Sequence, residues 1–135
     1  MRIAIVSVPA QKRGIPQYCT FLQRGFEAMG HRADIMDAWT EDGHKLPAYD
    51  YIAAAVETRS FFSVKLPERF HKILSEGSGF GGKKGAAFLG KKCLRTNRAL
   101  LNIMSVMEKE GLFVNRSDII LGNEQAEALA KRIGV

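Results

Sequence analysis

The chain has 135 residues, 46% of them hydrophobic and 25% charged, with a formal net charge of +6. That composition fits one globular domain, residues 1–135, able to bury roughly two-thirds of its unfolded surface without a disulfide or metal staple, and it excludes an intrinsically disordered chain. No apolar run is long enough to span a bilayer, and the basic balance favours anionic ligands or partners through long-range attraction.

The first element predicted is a strand over Arg2–Val8, RIAIVSV. A nearly continuous apolar run of this length is the mark of a strand buried on both faces, at the centre of a parallel sheet. The segment MRIAIVSV carries one arginine and no small-residue cleavage pattern, so it reads as a strand and not a signal peptide, and a cytoplasmic location is expected. The turn SVPAQKRGIPQYC, Ser7 to Cys19, follows, with Lys12, Arg13 and Gly14 at its centre. At such a strand-to-helix junction backbone N–H groups converge, so the turn is either an anion cradle or a plain connector.

From Pro16 the positions Tyr18, Leu22, Gly25, Phe26 and Met29 form a helical stripe, with Pro16 suited to the first turn and Gly30 to the C-terminal end. His31–Ala38 predicts a second strand with Ala33 and Ile35 on one face and Met36 on the other. Residues 39–50, holding Gly43 and Pro47, are too broken for a regular helix. YIAAAV, Tyr51–Val56, is a third, buried strand, followed by the loop ETRSFFSV. Leu66, Phe70, Ile73 and Leu74 mark a helix that starts near Pro67 and stops before Gly77, and GAAFL, Gly85–Leu89, is a fourth strand.

Thr96 or Asn97 is placed to cap a long helix carrying Leu100, Met104 and Met107 and ending at Gly111. The apolar pieces 112–114 and 119–121 are separated by Asn115-Arg116-Ser117-Asp118, which leaves the fifth strand either interrupted or beginning at the second piece. Asn123 caps a closing helix with acids early and cations late, as the helix dipole prefers. Alternating strands and helices in this order predict an α/β three-layer sandwich around a five-stranded parallel sheet.

Several motifs lead nowhere chemically. GSGFGGKKG, Gly77 to Gly85, satisfies G-x-G-x-x-G and nearly a Walker A pattern, but it leaves a helix and enters a strand, and Lys84 stands where Ser or Thr would hold magnesium. It reads as a basic connector. Cys19 and Cys93 have neither CxxC spacing nor a histidine pattern, which points to core or loop thiols and not a disulfide framework or zinc site. His31, His44 and His71 are scattered, so no metal cage or Ser/His/Asp nucleophile is signalled. The basic clusters are not interleaved with aromatics as a nucleic-acid platform requires, and nucleic acid is not the expected partner.

The order of the elements, the loop holding Thr58-Arg59 after strand three, the GKKGAAFLG strand and the closing helix NEQAEALA together resemble the flavodoxin-like superfamily, short-chain type. The resemblance spans nearly the whole chain. It implies the sheet order 2-1-3-4-5 and FMN at the carboxyl ends of the strands, with the loop after strand one around the phosphate and the loops after strands three and four around the isoalloxazine ring. By position it implies that Ser7 opens the phosphate loop, with Gln11, Lys12, Arg13 and Gly14 within it. Thr58, Arg59, Phe61 and Phe62 fall beside the ring on one side, and Gly90, Lys91 and Cys93 on the other.

The phosphate loop departs from the S/T-x-T-G-x-T pattern of the superfamily. It is longer, it lacks two hydroxyl residues, and Pro16 removes an N–H donor, while Lys12 and Arg13 offer charge in their place. Glu57 replaces the proline of a P-T-R motif. Phe61 and Phe62 are either flavin-stacking residues or anchors for the next helix, and Trp39 is either a stacking residue or a half-exposed loop aromatic. Two functional classes follow: an FMN-dependent electron carrier or oxidoreductase whose redox partner is acidic, or a flavin-free binding or scaffold module that kept the fold. In either class a homodimer could complete a site that one chain leaves open.

Overall fold

The structure, a computed structural model, describes residues 1–133. Five strands, β1 (Arg2–Val8), β2 (Arg32–Asp37), β3 (Tyr51–Val56), β4 (Lys84–Leu89) and β5 (Phe113–Ile119), form one parallel sheet in the order β2-β1-β3-β4-β5. The helices are α1 (Gln17–Ala28), α2 (Glu68–Gly77), α3 (Thr96–Lys109) and α4 (Asn123–Lys131). Between β2 and β3 the chain makes only a single 3-10 turn, Leu46–Ala48, because Gly43 and Pro47 break any longer helix.

Alternation along the strands sorts the core into two layers. Ala4, Val6, Ile52, Ala54, Ala87 and Leu89 meet Phe70, Ile73 and Leu74 of α2 and Ala99, Ile103 and Met107 of α3. Ile3, Ile5, Tyr51, Ala53, Ala86 and Phe88 meet Leu22 and Phe26 of α1 and Ala126, Leu129 and Ala130 of α4. Ala33 joins the second layer and Met36 the first, as the alternation in β2 predicts. The GSGFGGKKG connector runs from the end of α2 into β4, on the amino rim of the sheet, opposite the loops that follow the strands.

Three terminal details differ from expectation. Neither Thr96 nor Asn97 caps α3: Arg95 stands at the N-cap, without a side-chain hydrogen bond. Gly122 holds the cap position of α4, and Asn123 instead donates from Nδ2 to Gln17 Oε1 on α1 at 3.1 Å. Strand β5 is continuous through Asn115-Arg116-Ser117-Asp118, with an irregularity at Asn115, since Val114 pairs with Gly85 and Arg116 with Ala86. These polar residues are exposed because β5 is an edge strand, where charged side chains and irregularities also discourage pairing with another chain.

Candidate functional site

The loops after β1, β3 and β4 meet on the carboxyl rim of the sheet, where neighbouring strands diverge into connections on opposite faces. Backbone bonds weld them to the ladder: Glu57 N–H donates to Val8 O, and Gly90 N–H to Val56 O. Leu94 N–H donates to Phe61 O, which joins the loop after β4 to the loop after β3.

At the centre of this rim lies the Glu57 carboxylate, with its side chain only 2% exposed. Arg13 grips it with two parallel bonds, Nη1 to Oε1 at 2.9 Å and Nη2 to Oε2 at 2.6 Å. The Tyr18 hydroxyl donates to Oε2 at 2.7 Å, and Ala10 N–H donates to Oε1 at 3.1 Å. The three donors come from the loop after β1 and the first turn of α1, and the acceptor comes from the residue that follows β3. Burial pushes the Glu57 carboxyl up, but the bonds from Arg13, Tyr18 and Ala10 outweigh it and hold the group below its ordinary value of 4.5. For Tyr18, burial and the adjacent carboxylate both push the phenol upward, so it stays a neutral donor.

Gly90 makes this closeness possible. A Cβ at that position would overlap the Tyr18 hydroxyl and sit 3.2 Å from Glu57 Cγ. The backbone of the loop after β4 therefore serves as the floor against which Tyr18 and Glu57 are pressed.

Apart from Arg13, bound to Glu57, the residues expected from sequence divide into three groups. Gln11, Thr58, Arg59, Phe61 and Lys91 are brought together: with Ala10, Ser60 and Lys92 they line a cleft of about 220 Å³ between the three loops. Lys91 and Lys92 also border a second cleft of about 340 Å³ towards α4, so they form a ridge between the two. Lys12 and Gly14 are exposed on the outer side of the first loop, and Phe62 stands 79% exposed, packed edge-on against Phe61 with ring centroids 5.2 Å apart. Ser7, Cys93 and Gly90 are buried. Ser7 Oγ is sealed beneath the loop without a hydrogen-bond partner among the described residues, and Cys93 packs in the layer of α2 and α3. Trp39 is half-exposed and donates from Nε1 to Pro9 O at 2.9 Å, bracing the same loop. Both cysteines are free thiols, and burial pushes Cys19 up to about 12.

The residues that organise the rim, Glu57 and Tyr18, are ones that motif matching does not select. A carboxylate directly after the fully buried strand YIAAAV was the available signal, since a charge at such a place demands a partner.

These arrangements test whether the site fits FMN. A phosphate needs free donors and no competing negative charge. Here the Arg13 guanidinium and Ala10 N–H are already bonded to Glu57, Ser7 is sealed, Thr58 Oγ1 donates to Ser60 O at 2.9 Å, and Pro16 has no N–H. A phosphate placed against Arg13 would meet the Glu57 carboxylate, so the donors this loop leaves free are Lys12 and the backbone N–H groups of residues 11–15, which make no hydrogen bond among the described residues.

No protein-family model and no curated protein matches the sequence. Solved structures match along nearly the full chain. Oxidised flavodoxin 2 from Bacillus cereus superposes with a TM-score of 0.75 at 20% identity, over 98% of this chain and 94% of that one. The flavodoxin of Streptococcus pneumoniae TIGR4 gives 0.73 at 12% identity, over 96% and 93%, and a flavodoxin from the domain Archaea gives 0.69 at 19%, over 99% and 94%. The chain has the flavodoxin-like fold, with the sheet order that fold requires. Among the described residues no helix is long and apolar enough to cross a membrane.

Proposed function

We propose that this protein is a flavodoxin-like binding module that works without FMN and receives an acidic protein partner on the carboxyl rim of its sheet. The observation that carries the reading is the Glu57 carboxylate, which engages Arg13, Tyr18 and the Ala10 N–H of the loop after β1 and sets a negative charge among them. In a flavin-binding rim built on Ser7, Gln11, Lys12, Arg13 and Gly14, Arg13 would have to abandon a buried carboxylate to reach the phosphate, and Ser7 is buried.

What remains exposed suits a protein surface. Phe61, Phe62 and Leu94 are 51%, 79% and 60% exposed, and Arg59, Lys91, Lys92 and Arg95 flank them in sequence, all exposed. Aromatic anchors ringed by cations are the composition of a docking patch, and the net charge of +6 selects an acidic surface to meet it. Thr58 and Gly90 serve the rim as scaffold, holding the loops that display these side chains.

Two titrations test the reading. FMN added up to about 100 µM, enough to register a site worth about 5.5 kcal/mol, should show no saturable fluorescence quenching, and the purified protein should be colourless. A fluorescently labelled peptide of alternating glutamate and leucine should bind at low salt and lose affinity in F61A/F62A. A yellow protein, or tight saturable quenching, would overturn the flavin-free reading, and a peptide indifferent to the protein would overturn the docking surface.

A further inference from the structure

The Glu57 cluster has the construction of a ligand site. A planar guanidinium, a phenol and a backbone N–H converge on two carboxylate oxygens at 2.6 to 3.1 Å, in a bidentate geometry suited equally to a carboxylate or a phosphate. Glu57 is buried while Arg13 is 42% exposed, so the cluster opens to solvent on the Arg13 side. Glu57 is tethered, so it occupies the cluster at an effective concentration that no millimolar solute approaches.

We propose that the loop from Ala10 to Tyr18 is an oxyanion site kept permanently filled by the Glu57 side chain, and that removing this carboxylate opens it to a small free oxyanion. Arg13, Tyr18 and Ala10 are the recognition groups, and Glu57 is the built-in occupant. The wild-type chain thereby rejects phosphate monoesters at Arg13, which ties the loop after β1 to the residue after β3 instead of holding a ligand. The inference deepens the flavin-free reading and rests on it only where it concerns rejection by the wild-type loop.

Loss of the occupant is tested by chemical rescue. In E57A, inorganic phosphate or acetate should raise the melting temperature by about 4–6 °C when present at ten times its Kd, against sodium chloride of equal ionic strength. Wild type should not respond, and R13A/E57A should lose the response. Equal responses in all three proteins, or a folded E57A that ignores both anions, would overturn the proposal.

A measurement on the wild-type chain covers the case in which E57A does not fold. Phenylglyoxal modification mapped by mass spectrometry should label Arg13 at least about fivefold more slowly than Arg59, Arg95 and Arg98, because both of its terminal nitrogens are engaged. Labelling of Arg13 at the same rate as those three would overturn the assignment. Rescue of E57A by phosphate in a chain whose wild type proves to bind FMN would sink the flavin-free reading and the rejection by the wild-type loop, leaving only Arg13, Tyr18 and Ala10 as oxyanion-recognition groups.

Discussion

Arg13 and Glu57 share one ion pair but sit in different surroundings, since the Arg13 side chain is 42% exposed and that of Glu57 only 2%. Truncating the arginine strands a buried carboxylate with two remaining donors, whereas truncating the glutamate leaves a cation that water can reach. R13A should therefore cost about 2–3 kcal/mol in urea unfolding, below the full penalty of breaking a wholly buried pair because solvent offers partial relief. The pH dependence follows from the direction of the shift. The folded-state pKa of Glu57 lies below its unfolded value, so its stabilisation is fully present above the unfolded value and is lost as pH falls through the folded one. Between about pH 5 and pH 3 the stability of wild type should fall more steeply than that of E57Q, measured by urea denaturation at each pH. Parallel curves would mean that Glu57 has no stabilising ion pair in solution.

Among the elements, α1 and α4 depend most closely on one another. They share a layer, and Gly25 of α1 faces the α4 backbone, where a Cβ would sit 2.6 Å from Ala130 Cβ and overlap Glu127 O. The neighbour is main chain and cannot swing away. G25A should destabilise by about 2–3 kcal/mol even though alanine is the better helix former, because the two helices must separate. A neutral or stabilising G25A in thermal denaturation would show that α4 shifts freely. That packing also sets the rim, since α1 presents Tyr18 to Glu57 and Gln17 to Asn123 of α4. At the far edge β5 is held mainly through β4, and its run Asn115 to Asp118 stays polar because only one neighbouring strand covers it.

Across the whole molecule the charge of +6 acts at long range while Phe61 and Phe62 act on contact. Steering by the rim lysines falls with salt, because the Debye length shortens to about 8 Å at physiological ionic strength. K91E/K92E should slow association with the acidic peptide by about tenfold at low salt and leave the unfolding free energy within about 0.5 kcal/mol of wild type, because both side chains are exposed. Stopped-flow mixing at two ionic strengths separates this effect from the F61A/F62A effect, which belongs to the dissociation rate.

The local pattern alone determined the elements whose signals are local. The run RIAIVSV and the run YIAAAV match β1 and β3 residue for residue, because strands buried on both faces admit almost nothing polar. Helical spacing located α1 and α2, and alternation gave a parallel sheet, while the order 2-1-3-4-5 came only from the resemblance to the flavodoxin-like superfamily. The caps of α3 and α4 and the polar strand β5 were not legible, since a cap depends on what the neighbouring helix offers and an edge strand needs no apolar face to pair. Of the rim, Gln11, Thr58, Arg59, Phe61 and Lys91, named by position, share one cleft. Only the tertiary structure decided what the first loop holds. Glu57 lies 44 residues from Arg13 and 39 from Tyr18, and the parallel pairing of β1 with β3 brings them together. A buried carboxylate must find donors wherever the fold supplies them, and here the loop after β1 and the first turn of α1 supply them.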